Sequence, residues 1–167
     1  SGLLEEFDAP NNGRGRPARQ LRLATESAQV IGLVIDAGEC RVVSAGLDGS
    51  LDSESGRAFP TPNSYEALIE AAALEVESFL NPDVQTLGLG ISLPGLIDSS
   101  SQTGLLSPNV PAPNGHSPGR DLSERLGLPS VLLQECHALC LAERHYGNAR
   151  RLDDFAMLDA TTGVGLG

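Results

Sequence analysis

The stretch VLLQECHALCLAERHYG, residues 131–147, decides the fold. Val131, Leu132 and Leu133 make a short apolar run of the kind that forms a buried strand. The polar pair Gln134 and Glu135 follows, and a helix is expected to begin near Cys136. A strand that passes through a polar pair into a helix is the junction of an α/β layer architecture. In an open α/β sheet, ligands bind at the carboxyl ends of strands. Glu135 therefore stands at the centre of a site or of the remnant of one, and Asp36 and Asp98 occupy comparable strand ends.

Outward from this junction, the same architecture is legible upstream. AQVIGLVID (residues 28–36) is a nearly continuous apolar run and reads as a central strand, closed by a turn at Asp36, Ala37 and Gly38. Residues 40–45 and 49–59 supply two further strands, joined by short connections and hence antiparallel. Asn63 is placed to cap a helix with Glu66 returning the bond, and Tyr65, Leu68, Ile69, Ala72, Val76, Phe79 and Leu80 recur at helical spacing. LGLGISLPGLID (residues 87–98) reads as a buried strand with a turn at Pro94 and Gly95. Asp98 there either caps the following turn or contacts a ligand. Residues 99–117 are rich in Ser, Asn, Pro and Gly and read as a long loop, the kind that carries function or moves. Pro118 starts a short helix that Gly127 stops. Downstream, residues 154–159 read as a last strand, followed by the glycine-rich turn TTGVGLG, whose backbone N–H groups could cradle a phosphate.

The N-terminal part has another character. NNGRGRPAR punctuates a turn, and QLRLA alternates like a strand, so the two flanks make a hairpin with an arginine-rich tip. By pattern alone this is a solvated surface loop; a nucleic-acid contact is the other reading. The net charge is -11, yet residues 1–26 carry four Arg against four acids, so the whole excess lies beyond them. That average disfavours nonspecific attraction to nucleic acid or anionic membrane. No apolar run approaches the length of a membrane span, no signal peptide is visible, and a cytoplasmic location is expected. Cys136 and Cys140 share a helix face beside His137, but zinc wants four well-placed ligands and buried thiols are the ordinary expectation. The chain opens and closes inside elements, which points to truncation at both ends.

Five pieces in this order resemble one family: the turn at Asp36 and Gly38, ISLPGLID, SPNV at residues 107–110, ECHALCLAE, and the terminal TTGVGLG. Together they resemble the first lobe of the ROK family, which comprises sugar kinases and sugar-responsive transcriptional repressors. The fold this implies is α/β, an actin-like (ribonuclease H-like) ATPase first lobe with a mixed β-sheet. GRGRPARQLRL is similar to the wing and exit strand of the winged helix-turn-helix that precedes this lobe in the repressors. Residues 1–25 are then the end of a truncated DNA-binding domain, and residues 26–167 are the lobe, incomplete at its C-terminus.

The resemblance also implies roles. Gln134 and Glu135 match the Asn-Asp pair whose Asp acts as base toward the sugar hydroxyl in family kinases, so Glu135 is a degenerate base position. Asn109 matches the Asn of the sugar-contacting turn, and His137 a polar position near it; Asn109, Gln134, Glu135 and His137 are the expected effector site. Asp36 and Gly38, with Thr162, Gly163 and Gly165, match the phosphate loops, altered by Glu39 and Cys40. Arg14, Arg16 and Arg19 are the expected DNA contacts. No metal ligand or cofactor is expected in this chain, and a structural zinc belongs to the second lobe. The implied function is a non-catalytic, sugar-responsive transcriptional regulator in carbohydrate metabolism, a repressor binding operator DNA and a sugar or sugar phosphate as a homo-oligomer. An ATP-dependent sugar kinase and a non-catalytic sugar-binding module are the alternatives.

Overall fold

A computed structural model describes residues 3–8, 19–51, 56–161 and 163–167. Five strands build the main sheet: β3 (Ala28–Ile35), β4 (Glu39–Gly46), β5 (Arg57–Pro60), β6 (Gln85–Leu93) and β9 (Ser130–Gln134), in the order β5-β4-β3-β6-β9. The β3–β4 and β4–β5 pairs are antiparallel, whereas β3–β6 and β6–β9 are parallel. This is the mixed sheet of the actin-like fold. The short turn at residues 36–38 forces β3 and β4 antiparallel, whereas β4 and β5 are joined through residues 47–56, so the strand expected over residues 49–59 is only β5, Arg57–Pro60. The parallel half is made by two crossover helices, α1 (Tyr65–Glu77) and α2 (Pro118–Leu126).

Those helices cover one face. Leu68, Ala72, Ala73 and Val76 of α1 and Leu122 of α2 pack with Ile31, Leu33, Ile35, Val42, Leu89, Ile91, Leu93 and Leu132 in a single buried cluster. Alternation along each strand sends the remaining side chains to the opposite face. That face carries Val30, Gly32, Val43, Ala45, Gly88, Gly90 and Val131 and is covered only in part by α3 (Glu135–His145). A groove of about 720 Å³ remains between the sheet and the α3 residues Ala138, Leu141 and Ala142.

Several boundaries differ from the sequence-based expectation. Ser64, not Asn63, caps α1, its hydroxyl accepting from Ala67 N at 3.3 Å, and the helix ends at Glu77, before Phe79 and Leu80. The expected loop at residues 99–117 contains a strand, β8 (Thr103–Leu106), paired with β7 (Leu96–Asp98). The last strand shrinks to β10 (Leu158–Asp159), which pairs with β11 (Gly165–Leu166) in a separate hairpin. Its polar neighbours Asp153 and Asp154 are exposed and leave too little apolar sequence for a longer strand. Gly127 takes the left-handed cap of α2 at φ 66, as expected.

At its outer edge, β9 does not end in open backbone. Leu132 N donates to the side-chain oxygen of Gln102, whose Nε2 in turn donates to Ser99 O at 2.8 Å. Gln102 is the only described non-glycine residue at positive φ, 56°.

Ahead of the sheet, β1 (Leu4–Asp8) and β2 (Arg19–Leu23) form an antiparallel ribbon. Glu5 joins it to the lobe by accepting from Arg22 Nε (2.9 Å), Thr25 N (3.2 Å), Thr25 Oγ1 (3.0 Å) and Ser27 Oγ (3.3 Å). Desolvation pulls the Glu5 carboxyl up, but the hydrogen bonds from Thr25 and Arg22 outweigh it and hold the pKa below the usual value.

Candidate functional site

Three strand ends and two loops converge on one cleft of about 340 Å³. Pro94, Gly95 and Leu96 come from the β6–β7 turn, Leu106, Pro108 and Asn109 from the segment after β8, Gln134, Glu135 and Cys136 from the β9–α3 junction, and Asp159 with residues 163–165 from the β10–β11 hairpin. Gly95 is required where it stands. Its φ is 101°, and a Cβ there would sit 2.2 Å from Leu106 O. The turn and the Asn109 segment are therefore seated directly on each other.

The Glu135 carboxyl is the electrostatic centre. Desolvation raises its pKa above the ordinary glutamate value, and the negative charges of Asp159 and Asp36 raise it further. A carboxylate made more basic in this way, at the carboxyl end of a parallel strand, is suited to accept a proton from a bound hydroxyl. Gln134 is partly committed: its side-chain oxygen accepts from His137 N at 3.3 Å and caps α3, which leaves its NH₂ available. Asn109 lines the main cleft and also a smaller cavity of about 60 Å³ that reaches Ala37, Thr61 and Asn63.

The expected effector residues Asn109, Gln134 and Glu135 are thus brought together. His137 is not: it is exposed on α3 and does not line the cleft. The helical turn that buries Cys136 rotates its neighbour outward. Among the expected phosphate-loop residues, Gly38 and Gly163 leave open space within 4 Å of where a Cβ would be, so a polyphosphate could approach their backbone. Gly165 is glycine for another reason, since a Cβ there would lie 2.2 Å from Cys136 Sγ. Asp36 uses its carboxylate locally, accepting from Ala37 N at 2.7 Å. Glu39 is exposed and paired with Arg41 at 2.9 Å, which partly offsets the charge that it brings to this turn. Thr162, Arg14 and Arg16 lie outside the described residues. Arg19 is engaged with Glu6 at 2.5 Å.

Asp159 is the site residue that sequence reading missed. It had been legible only as the end of a strand, although an acid at a strand end is the pattern that singled out Asp36 and Asp98. Asp98 itself serves its turn, accepting from Ser100 N (2.9 Å) and Ser100 Oγ (2.6 Å). Those hydrogen bonds hold its pKa down at about 2. Among the described residues no group of His, Cys, Asp or Glu could hold a metal ion. No helix among them is long and apolar enough to cross a membrane.

Residues 32–167 match the model of the ROK family. The chain belongs to the ROK family. A xylose repressor of Caldicellulosiruptor bescii is 25% identical over 99% of this chain and 42% of its own length. The chain thus spans less than half of the curated relatives that it matches. Among solved structures, the ROK hexokinase of Thermus thermophilus is 28% identical, with a TM-score of 0.72 over 83% of this chain and 46% of that one. A ROK family transcriptional regulator homologous to E. coli MLC superposes with a TM-score of 0.79 over 99% of this chain and 43% of that one, at 21% identity, which speaks to the fold.

These likenesses correct two expectations. The expectation of a non-catalytic protein is overturned: the hexokinase (28% identical) and an inorganic polyphosphate/ATP-glucomannokinase of Arthrobacter (26% identical), both named as kinases, share the lobe. The emphasis on transcription, DNA binding and repression is likewise not the better-supported reading, since these two solved structures are named as a hexokinase and a glucomannokinase.

Proposed function

We propose that this chain is the first lobe of an ATP-dependent sugar kinase working in the cytoplasm, with Glu135 as its general base. The observation that carries the reading is the raised pKa of Glu135 in a cleft that also presents Asn109 and the Gln134 amide. Amide groups can donate to and accept from the vicinal hydroxyls of a sugar. Glu135 takes the proton of one hydroxyl as its oxygen bonds to the γ-phosphorus of ATP; the bond from that phosphorus to the bridging oxygen breaks and ADP leaves. Gly38 and Gly163 leave the space that the phosphates need.

The test is ADP release by the intact protein with D-glucose, N-acetyl-D-glucosamine and D-xylose as probes, the sugars named for its relatives. Glu135→Gln should lower kcat by roughly 10²–10⁴-fold. Absence of sugar-dependent ADP release with all three probes, alongside specific binding to the protein's own promoter, would sink the kinase reading.

A second reading rests on a different observation. The family model begins at residue 32 and leaves the β1–β2 ribbon outside, yet the xylose repressor aligns over 99% of the chain. In that reading residues 1–25 are the wing of a winged helix-turn-helix, residues 26–167 are the ROK first lobe, and Arg14, Arg16 and Arg19 approach operator DNA in a homo-oligomer that senses a sugar or sugar phosphate. Fluorescence anisotropy with operator and scrambled duplexes at one stated salt concentration tests it. A sugar-dependent change in operator affinity is the expected result, and equal affinity for both duplexes would dismiss it.

A further inference from the structure

Asn109 is carried by a short excursion of the chain between β8 and α2, and the neck of that excursion is closed by one side chain. Asn114 Oδ1 accepts from Ser107 N at 2.7 Å. Asn114 is itself fixed by its backbone: Asn114 N donates to Pro111 O at 3.0 Å, the residue forms a bridge with Gly104, and Gly115 N donates to Gly104 O at 2.7 Å. On the other side of the neck, Ser107 is 1% exposed, and its Cα, next to Leu106 O, would lie 2.8 Å from a Cβ at Gly95. The excursion thus begins at a residue gripped from two sides, by Asn114 and by the Gly95 turn. The buried Ser107 hydroxyl finds no partner among the described residues, so the grip comes through backbone and not through this side chain. Val110, 2% exposed, anchors the far side of Asn109 in the core. Between these two fixed points only Pro108 and Asn109 remain in the open, and both line the cleft.

We infer that Asn114 is a positioning residue for sugar recognition: its amide oxygen clamps Ser107 N–H and so fixes the direction in which Asn109 meets the ligand. The inference rests on the reading of this cleft as the sugar site. Without the clamp, the segment before Pro108 keeps its strand and its core anchor but loses the bond that sets its exit angle. An error of about an ångström in a contact group can change rates by about a hundredfold. Asp at position 114 retains an acceptor of the same length, whereas Ala removes it.

The experiment compares Asn114→Ala, Asn114→Asp and Asn109→Ala in the intact protein. Calorimetric affinity and KM are measured for D-glucose, N-acetyl-D-glucosamine and D-xylose, with thermal melts and hydrogen exchange of residues 105–112 alongside. The expected result is a loss of affinity of about tenfold or more for Asn114→Ala, in the same direction as Asn109→Ala. Asn114→Asp should recover most of it, and exchange at residues 107–109 should quicken only in the Ala variant. A rise in KM with kcat little changed separates misplacement of Asn109 from damage to the Glu135 chemistry. Native affinity in Asn114→Ala beside lost affinity in Asn109→Ala would overturn the clamp and leave the cleft reading standing. If Asn109→Ala binds all three probes, or fails to bind them, just as the native protein does, the cleft reading falls and the inference with it.

Discussion

At Glu135, chemistry and stability pull in opposite directions. Desolvation and the nearby charges of Asp159 and Asp36 make its folded-state pKa higher than the ordinary value of 4.5. The stability linked to that shift is complete below the ordinary value and is lost as pH rises through the folded pKa. Glu135→Gln should therefore raise the melting temperature at pH 7 and leave it little changed at pH 4, while slowing sugar-dependent ADP release. The pH profile of kcat/KM should climb through that same raised pKa. Asp98 carries the reverse sign: its pKa lies at about 2, so its contribution is present above the ordinary aspartate range and is lost as pH falls through about 2. Asp98→Ala should lower the melting temperature at pH 7 and lose its effect in strong acid, with kinetics in the cleft unchanged. Sequence reading could find Glu135 because a polar pair interrupts an apolar run there. Asp159 escaped because its strand is two residues long and has no such contrast around it.

Among the elements, those with strong periodicity were legible and those held by tertiary contacts were not. β3, β9, α2 and the start of α3 follow from apolar runs and caps, to within a residue of the structure. β8 was hidden because its four residues acquire a ladder only from β7, which the turn at Gly95 folds back upon them. The cap of α1 moved by one residue because Asn63 and Ser64 are both competent and local chemistry does not choose between them. α1 and α2 are tied by a contact with no sequence signature. Tyr65 OH donates to Asp121 Oδ2 at 2.5 Å, and the Tyr65 ring stacks on His116 with centroids 3.9 Å apart. Burial, together with the Asp121 carboxylate, pushes the Tyr65 phenol far above its ordinary pKa, so it remains a donor throughout the accessible range. Tyr65→Phe should cost about 1–2 kcal/mol in urea unfolding. A double-mutant cycle with Asp121→Asn isolates the pair.

For the whole molecule, the two faces of the sheet differ in kind. Leu122→Ala in the covered face should cost about 2–5 kcal/mol. The opposite face leaves Val30, Val131 and Leu141 each at least 39% exposed around a 720 Å³ groove. This chain on its own should bind a hydrophobic reporter dye in the native baseline, before any thermal transition, and Val131→Lys should weaken that signal. A native baseline without dye binding would show that the face is closed in solution. The Gln102 amide has a consequence at this scale. A sheet edge ordinarily offers a row of unpaired donors and acceptors onto which a foreign strand can be laid, as in fibril growth. Along β9 the Leu132 donor is already taken by a side chain from the same molecule. At the far edge, β5 is four residues long and ends in Pro60, which has no N–H to give. Lateral growth of the sheet is discouraged on both sides, so self-association of this lobe is directed to its faces.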